Sequence, residues 1–529
     1  MIMKKSYILI VLMMIYVGSL NAQETYENAR ISSTDLNGTA RYVGMGGAMD
    51  ALGADLSTIS TNPAGIGLFR SSQAKLSFGV VSQADAESFA GEDKTKLSFD
   101  QLGFVYSTRT GRSSFLNFAF NYHKNKNFNH ILSASGNLNG ASQSKLSYLK
   151  GYEGIITPSY NNDGVVVANE NQFTQLDYLY YNAFLSNTGD NKFYYNDAAA
   201  YQMNRANSGY IGEYDFNISG NINDRLYLGI TVGIHDVNYK GYSEYSELYL
   251  GPNGANAGSG YVTVSDERKI SGTGFDVKAG VIFRPIEESP FRVGLSIASP
   301  VWYDLETANY TDIYNNTDYG LYDDGNISEV YEFKMHTPWK FGLSMGTTVG
   351  NYLALGASYE FADYANIDSR INTGSSYDYW TDSYYESSDA DRNMNRHTEQ
   401  SLKGVNTLKL GAEFRPDPTV AIRFGYNYVS PMYNKEAYKS VDANSPGLYY
   451  SSAADYTNWE STNRFTCGVG YTAGKLTFDM AYQYSSQSGK FNPFTPYYND
   501  EQPELTNVAE PIKVDNKCHQ LMMTLGYSF

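Results

Sequence analysis

The chain has 529 residues, with 39 Lys and Arg against 56 Asp and Glu, and a formal charge of −17. An acidic chain of this kind is a poor match for phosphate backbones, which sets nucleic-acid binding aside. Tyr (49), Phe (26) and Gly (48) are abundant while Pro is scarce at 15. That balance suits strands whose two faces meet different solvents.

Met1-Ile2-Met3-Lys4-Lys5, an apolar core from Tyr7 to Val17 and small residues to Ala22 read as a secretory signal peptide, residues 1–22. The apolar core is too short to cross a bilayer as a helix, and no later apolar run is long enough either. Residues 23–72 follow as a separate unit. Within them 37–69 is rich in Gly and Ala, nearly free of charge, and has neither helical nor strand periodicity. Gly44, Gly46 and Gly47 allow close backbone packing, and the Asn62-Pro63-Ala64-Gly65 step predicts a rigid turn. The expectation is a hatch that sits in a barrel and gates it. Met45, Met49, Leu52, Ile66, Leu68 and Phe69 are its candidate ligand contacts.

After Phe69 the pattern becomes alternation and persists to the last residue. Leu226, Leu228, Ile230, Val232 and Ile234 share one face of a run, and Val420, Ile422, Phe424, Tyr426 and Tyr428 share another. Tight links at 110–112, 222–224, 285–289, 350–351, 416–418 and 473–474 take turns with long polar stretches. The longest is 124–209; others are 241–269, 306–330 and 368–402. Short and long connections on opposite ends predict an all-β, up-and-down transmembrane β-barrel over 73–529, with about fourteen antiparallel strands and both termini on the periplasmic side. Turning Asp276, Lys278, Arg292, Arg423 or Asp479 toward lipid would cost roughly 2–4 kcal/mol for each basic residue and less for the acids. The phase with Leu, Ile, Val and Phe outward and charges in the lumen is therefore expected. The last strand, ending at Phe529, has to pair with the first near 75–81, because lipid tolerates no open edge.

Cys467 and Cys518 fall on opposite faces of strands separated by a third and are expected as free thiols. The six histidines show no linear metal motif, and His123 and His130 read as a solvated pair near the outer rim. The Asp-rich run 318–326 lacks the acid spacing of a calcium loop. The Gly44–Gly47 segment follows no buried strand, so it is no dinucleotide fingerprint. An outer-membrane hydrolase would need a nucleophile against a His, for which His235 and Ser344 are candidates by type alone. A surface adhesin or glycan-binding barrel is the third class, suggested by loop aromatics such as those of 377–385.

Arg41-Tyr-Val-Gly-Met-Gly-Gly-Ala48 followed by Thr61-Asn62-Pro63-Ala64-Gly65 resembles the N-terminal hatch of the FadL-like outer-membrane transporters of long-chain fatty acids and other hydrophobic compounds. The phrases 337–343, 408–416 and 525–529 resemble strands of the same family. The resemblance implies a fourteen-stranded barrel closed by its hatch, passive uptake of a hydrophobic ligand, and a sideways exit near the third strand. The family's Asn-Pro-Ala step maps onto Asn62, Pro63 and Ala64. Two departures stand out: the Tyr- and Asn-rich stretch 124–209 does not map onto the outer capture site, and residues 115–122 contain no Gly or Pro to mark a kink. The expected protein is a monomer without catalytic residues, metal or other cofactor, in the outer membrane of a Gram-negative bacterium. Its expected partners are a hydrophobic small molecule, membrane lipid and, through the terminal Phe529, the barrel-assembly machinery. A haem or porphyrin receptor on the same fold is the alternative.

Overall fold

The computed structural model describes residues 24–157, 159–160, 166–167, 174–184, 194–251, 260–318, 320–327, 330–380, 382–439 and 453–529. The expected signal peptide lies outside them. Fourteen antiparallel strands close on themselves. They are β1 (Gln73–Gln83), β2 (Thr95–Arg109), β3 (Phe115–Asn127), β4 (Ala198–Ile222), β5 (Leu226–Tyr249), β6 (Gly260–Phe283) and β7 (Arg292–Ala298) in the first half. The second half is β8 (Lys340–Val349), β9 (Leu353–Asp363), β10 (Gly404–Asp417), β11 (Val420–Val429), β12 (Tyr456–Ala473), β13 (Leu476–Asn492) and β14 (Ile512–Ser528). Each pairs with its sequence neighbour in this series, and β14 pairs with β1 from Gln73↔Ser528 to Gln83↔Cys518.

Local chemistry accounts for the ends of these strands. The β4–β5 link holds Asn223 and Asp224 at φ 54 and 54, the left-handed pair a tight hairpin needs. At the closing seam the Phe529 amide donates to the Ser72 carbonyl at 3.0 Å. Phe104, Ile230, Phe341, Phe424, Phe465 and Leu525 stand exposed on the outer face, whereas Asp276, Lys278, Arg423 and Asp479 are buried in the lumen. The strand phase is the one set by the cost of placing charge in hydrocarbon.

The polar stretches are less irregular than their composition predicts. Strands β4 and β5 have 25 and 24 residues, far more than the ~10 that cross a bilayer. Their ladder continues through Ala200↔Leu248, and β5 stays paired with β6 through Leu248↔Tyr261. Most of 241–269 is therefore paired sheet. Above the membrane neither face meets lipid, so the apolar alternation fades while backbone pairing continues. The Asp-rich residues 320–327 likewise form one side of a hairpin against 310–317. Helices α3 (Gln143–Tyr152) and α4 (Gln175–Ala183) pack Leu146, Leu179 and Phe184 against Tyr249 and Phe491 in an apolar cap at this end.

Candidate functional site

Residues 24–69 lie inside the barrel. Helix α1 (Thr25–Ser32), helix α2 (Ala40–Gly44) and two short 3₁₀ segments, Leu56–Ser60 and Pro63–Leu68, are nearly all buried. Each of the last three begins on a capping side chain. Thr39 accepts from the Tyr42 amide, Asp55 from Ser57 and Asn62 from Ala64. Repeated Gly and Pro keep the elements short, and the caps satisfy their first amides.

The wall is shaped to receive this segment. Gly346, Gly356, Gly411 and Gly425 face one another in register across β8 to β11. A Cβ built on Gly356 would lie 1.9 Å from the Ala48 carbonyl oxygen, one on Gly411 2.3 Å from that of Met45, and one on Gly425 2.1 Å from the Gly46 nitrogen. A second pair, Gly229 on β5 and Gly280 on β6, meets the Pro63 oxygen at 2.4 Å and Asn62 Oδ1 at 2.0 Å in the same sense. At Gly229, Gly356, Gly411 and Gly425 backbone thus meets backbone, whereas Gly280 receives the Asn62 side chain.

Ion pairs add attachment. Arg41 Nε lies 3.0 Å from Glu413, which also binds Arg423 at 2.7 Å. Asp55 meets Lys75 at 3.2 Å, Asp50 meets Lys409 at 3.6 Å, and Glu27 meets Arg268 at 2.6 Å.

The residues singled out in the sequence occupy this seat. Gly44 packs near Gly468, Gly46 and Gly47 adopt φ +63 and +78, and Gly65 abuts Thr58. Asn62 is fully buried beside Pro63 and Ala64, and among the described residues its Nδ2 lacks a hydrogen-bond partner. Met45, Met49 and Leu52 cluster with Leu36 and Tyr42. Ile66 and Phe69 pack with Leu56, Ile59 and Val105, and Leu68 packs with Tyr227 and Ile282. None of these six apolar residues borders the cavity described next. Their apolar surface is spent on seating the segment, and their alternation-free pattern gave no sign of which side each would face.

A cavity of ≈ 460 Å³ remains above the seat, lined by residues 24–37 and the upper lumenal wall. Phe128, Ile211, Val429, Met432, Tyr433 and Trp459 supply apolar surface. Its volume falls in the range of small-molecule sites, roughly 300–1,000 Å³. Arg30 on α1 donates to the Tyr239 hydroxyl at 2.7 Å and lies over that ring. Among the described residues no carboxylate pairs with it. His130 stands edge-on to Trp459 at 5.7 Å, its Nε2 buried and, among the described residues, unpartnered. The sequence offered little warning of Arg30, which precedes the stretch that stands out by composition.

The backbone pairing of the wall parts between β2 and β3. Their pairing runs from Arg109↔Phe115 to Gln101↔His123 and stops, although β2 continues against β1 and β3 against β4. A bulge at Asn125 in the β3–β4 ladder and another at Asp100 in the β1–β2 ladder lie where this pairing ends, and Lys124 Nζ donates to Ser98 Oγ across it at 2.7 Å. The register shift in the third strand occurs at Asn125, without a Gly or Pro. The N-terminal segment covers the parting from within. The Asp35 amide donates to the Asn125 carbonyl at 2.9 Å, and Asp35 Oδ2 accepts from the Asn127 amide at 3.0 Å. Asn37 Nδ2 bridges Asp100 Oδ1 and the Lys124 carbonyl, each at 3.1 Å.

His123 corrects the reading of a solvated pair: it is buried in the lumen, 3.5 Å from both Glu213 and Asp215. Cross-strand register, which linear spacing does not reveal, brings it there. His235 lies 3.5 Å from Asp276, whereas Ser344 donates to the Gly294 carbonyl. The two residues named for a hydrolase are not partners. Cys467 faces outward and Cys518 inward, both free.

No family model matches the chain, and no curated relative does. Among solved structures, a Pseudomonas aeruginosa FadL homologue aligns over 94% of this chain and 99% of its own, at 12% identity and a TM-score of 0.49. The Ralstonia pickettii toluene transporter TbuX covers 93% and 99% at 12% identity and TM-score 0.46, and the CymD monoaromatic hydrocarbon channel 94% and 99% at 11% and 0.47. All three alignments run along nearly the whole length of this chain at low identity.

Proposed function

We propose that this protein is a passive outer-membrane channel for hydrophobic small molecules, with residues 24–69 as its gate. The observation that carries the reading is a closed, apolar-faced barrel whose lumen is filled by its own N-terminal segment beneath a half-apolar cavity. Each methylene moved from water to an apolar site gains roughly 0.8 kcal/mol, so a long acyl chain or aromatic hydrocarbon gains little from a water-filled pore. A stoppered lumen with a sideways path to lipid spares it that water.

The parting between β2 and β3 is the exit this reading requires, and Asp35 and Asn37 are its closing residues. Asn62, set against glycines of β5 and β6, is the hinge at which ligand entry unseats the segment. Arg30, without a carboxylate partner and facing the cavity, favours cargo with an anionic head on an apolar body. The terminal Phe529 serves recognition by the assembly machinery, and the working unit is one chain.

Uptake of a labelled long-chain fatty acid by cells carrying Asn62→Ala, or a replacement of Gly44–Gly47, tests the gate. Slower or ungated uptake by correctly assembled variants is expected. Wild-type rates would remove the segment from the mechanism.

A further inference from the structure

Four neighbouring strands bring a polar cluster into the lumen that the transport reading does not use. Register places His123, Glu213 and His235 in one cross-strand row, and Asp215 and Asp276 in the next, with Gly233 between them. All five polar side chains and the adjoining Lys278 are buried. Lys278 Nζ lies 2.8 Å from Asp276, 3.4 Å from Asp215 and within hydrogen-bond reach of Glu213.

One ammonium does not balance three carboxylates. With neutral imidazoles the cluster carries two negative charges in excess, an expensive state away from water. Its hydrogen bonding is incomplete as well. His235 is 1% exposed, and among the described residues neither ring nitrogen has a hydrogen-bond partner, nor does Asp215 Oδ2. The nitrogens face acceptors rather than donors, Nε2 lying 3.5 Å from Asp276 Oδ1 and Nδ1 4.0 Å from Glu213 Oε2.

One nitrogen of His235 and one oxygen each of Glu213 and Asp276 lie within 4.8 Å of one another, as do the corresponding atoms of His123, Glu213 and Asp215. Gly233 leaves room for this, since a Cβ there would stand 2.2 Å from Asp276 Oδ1. We infer that His235, Glu213 and Asp276 bind a divalent transition-metal ion in the lumen.

The ion supplies the positive charge that the cluster lacks with neutral imidazoles, and a Lewis acid for the His235 ring. Imidazole with carboxylates is a donor set that suits zinc and its neighbours rather than calcium or magnesium. Small closing movements of the three side chains bring the donors to the ~2.0–2.2 Å that zinc takes. Lys278 is the resident cation the metal displaces, turning toward Asp215. The residues border the cavity, so an ion reaches them by the same route as cargo.

The test uses the full mature chain in detergent, stripped with a chelator and titrated with Zn²⁺ against a chromophoric competitor. One ion per chain with a dissociation constant of about 10 µM or tighter is expected. His235→Gln and Asp276→Asn should each weaken it by about 10–100-fold or more. Lys278→Met, which removes the competing ammonium, should tighten it. His336→Gln and His519→Gln should leave it unchanged. Zinc bound equally well after His235→Gln, or no uptake by the parent protein at on the order of 100 µM, overturns the site. If the lumenal variants fail to assemble, Cu²⁺ resonance spectra of a chain lacking His130, His336, His397 and His519 decide instead. Imidazole nitrogen coupling supports the site, and spectra from oxygen ligands alone reject it.

Discussion

The glycine row across β8 to β11 gives the sharpest prediction. Replacing Gly356 by Ala puts a methyl carbon 1.9 Å from the Ala48 carbonyl oxygen, where ordinary contact begins at 3.4 Å. The N-terminal segment, or the strand, has to retreat by about 1.5 Å there. Gly411→Ala and Gly425→Ala demand about 1.1–1.3 Å along the same edge. One such insertion costs roughly 1–3 kcal/mol when the surroundings flex only in part. Three in one row cannot be absorbed by local flexing, because the wall strands are held by continuous ladders on both sides. The relief is to lift the segment away, at the expense of burying Met45, Met49 and Leu52, each about 1.5–3 kcal/mol. A single Ala should therefore leave the lumen closed, while the triple variant leaks. Planar-bilayer conductance of purified protein measures this, with heat-modifiable mobility on a gel to show an intact barrel. Gly111→Ala, whose Cβ would meet nothing nearer than 3.4 Å, is the control. A triple variant that folds and conducts no more than the parent would falsify the seat.

Other outcomes follow from the contacts around the same segment. Asp55→Asn leaves Lys75 buried without its charge partner, at a cost of about 3–5 kcal/mol, and should expose the 39–60 region to protease in an otherwise folded barrel. Arg30→Met should weaken binding of a fatty-acid anion by about 10-fold or more, since a hydrogen bond to a charged group contributes roughly 1.5–3 kcal/mol; toluene affinity, measured on the same protein, should not change. The pH dependence centres on α5 (Arg392–Ser401) in the outer region, where His397 lies between Thr25 at 2.8 Å and the Tyr438 carbonyl at 2.9 Å. Burial holds its imidazole below the ordinary value of 6.5, so the unfolded chain takes up a proton first. The contact between α1 and α5 is at full strength above pH ~6.5 and weakens as pH falls through the lower folded value. Limited proteolysis near residues 392–401 should accelerate at pH 5 relative to pH 8, and His397→Gln should abolish the difference.

Alternation fixed most of the barrel in advance. Short turns such as 222–224, the phase of Asp276 and Lys278, and the closure of the last strand on the first were all legible, because lipid allows only one face outward and no free edge. Three features were not. The paired extensions through 241–269 lie beyond the membrane, where no solvent contrast writes a pattern into the side chains. The bulges at Asp100 and Asn125 lie where the β2–β3 pairing ends, and one extra residue in a ladder leaves no compositional mark. The meeting of His123, Glu213, His235 and Asp276 required the stagger of four strands, since residues up to 153 positions apart become neighbours only when the wall closes. Sequence by itself determined which face of each strand is apolar and that the first segment is too small-sided and too uncharged to live in water. Tertiary structure alone decided where that segment rests, because the fit of Gly356, Gly411 and Gly425 to its backbone exists only once the barrel has its curvature.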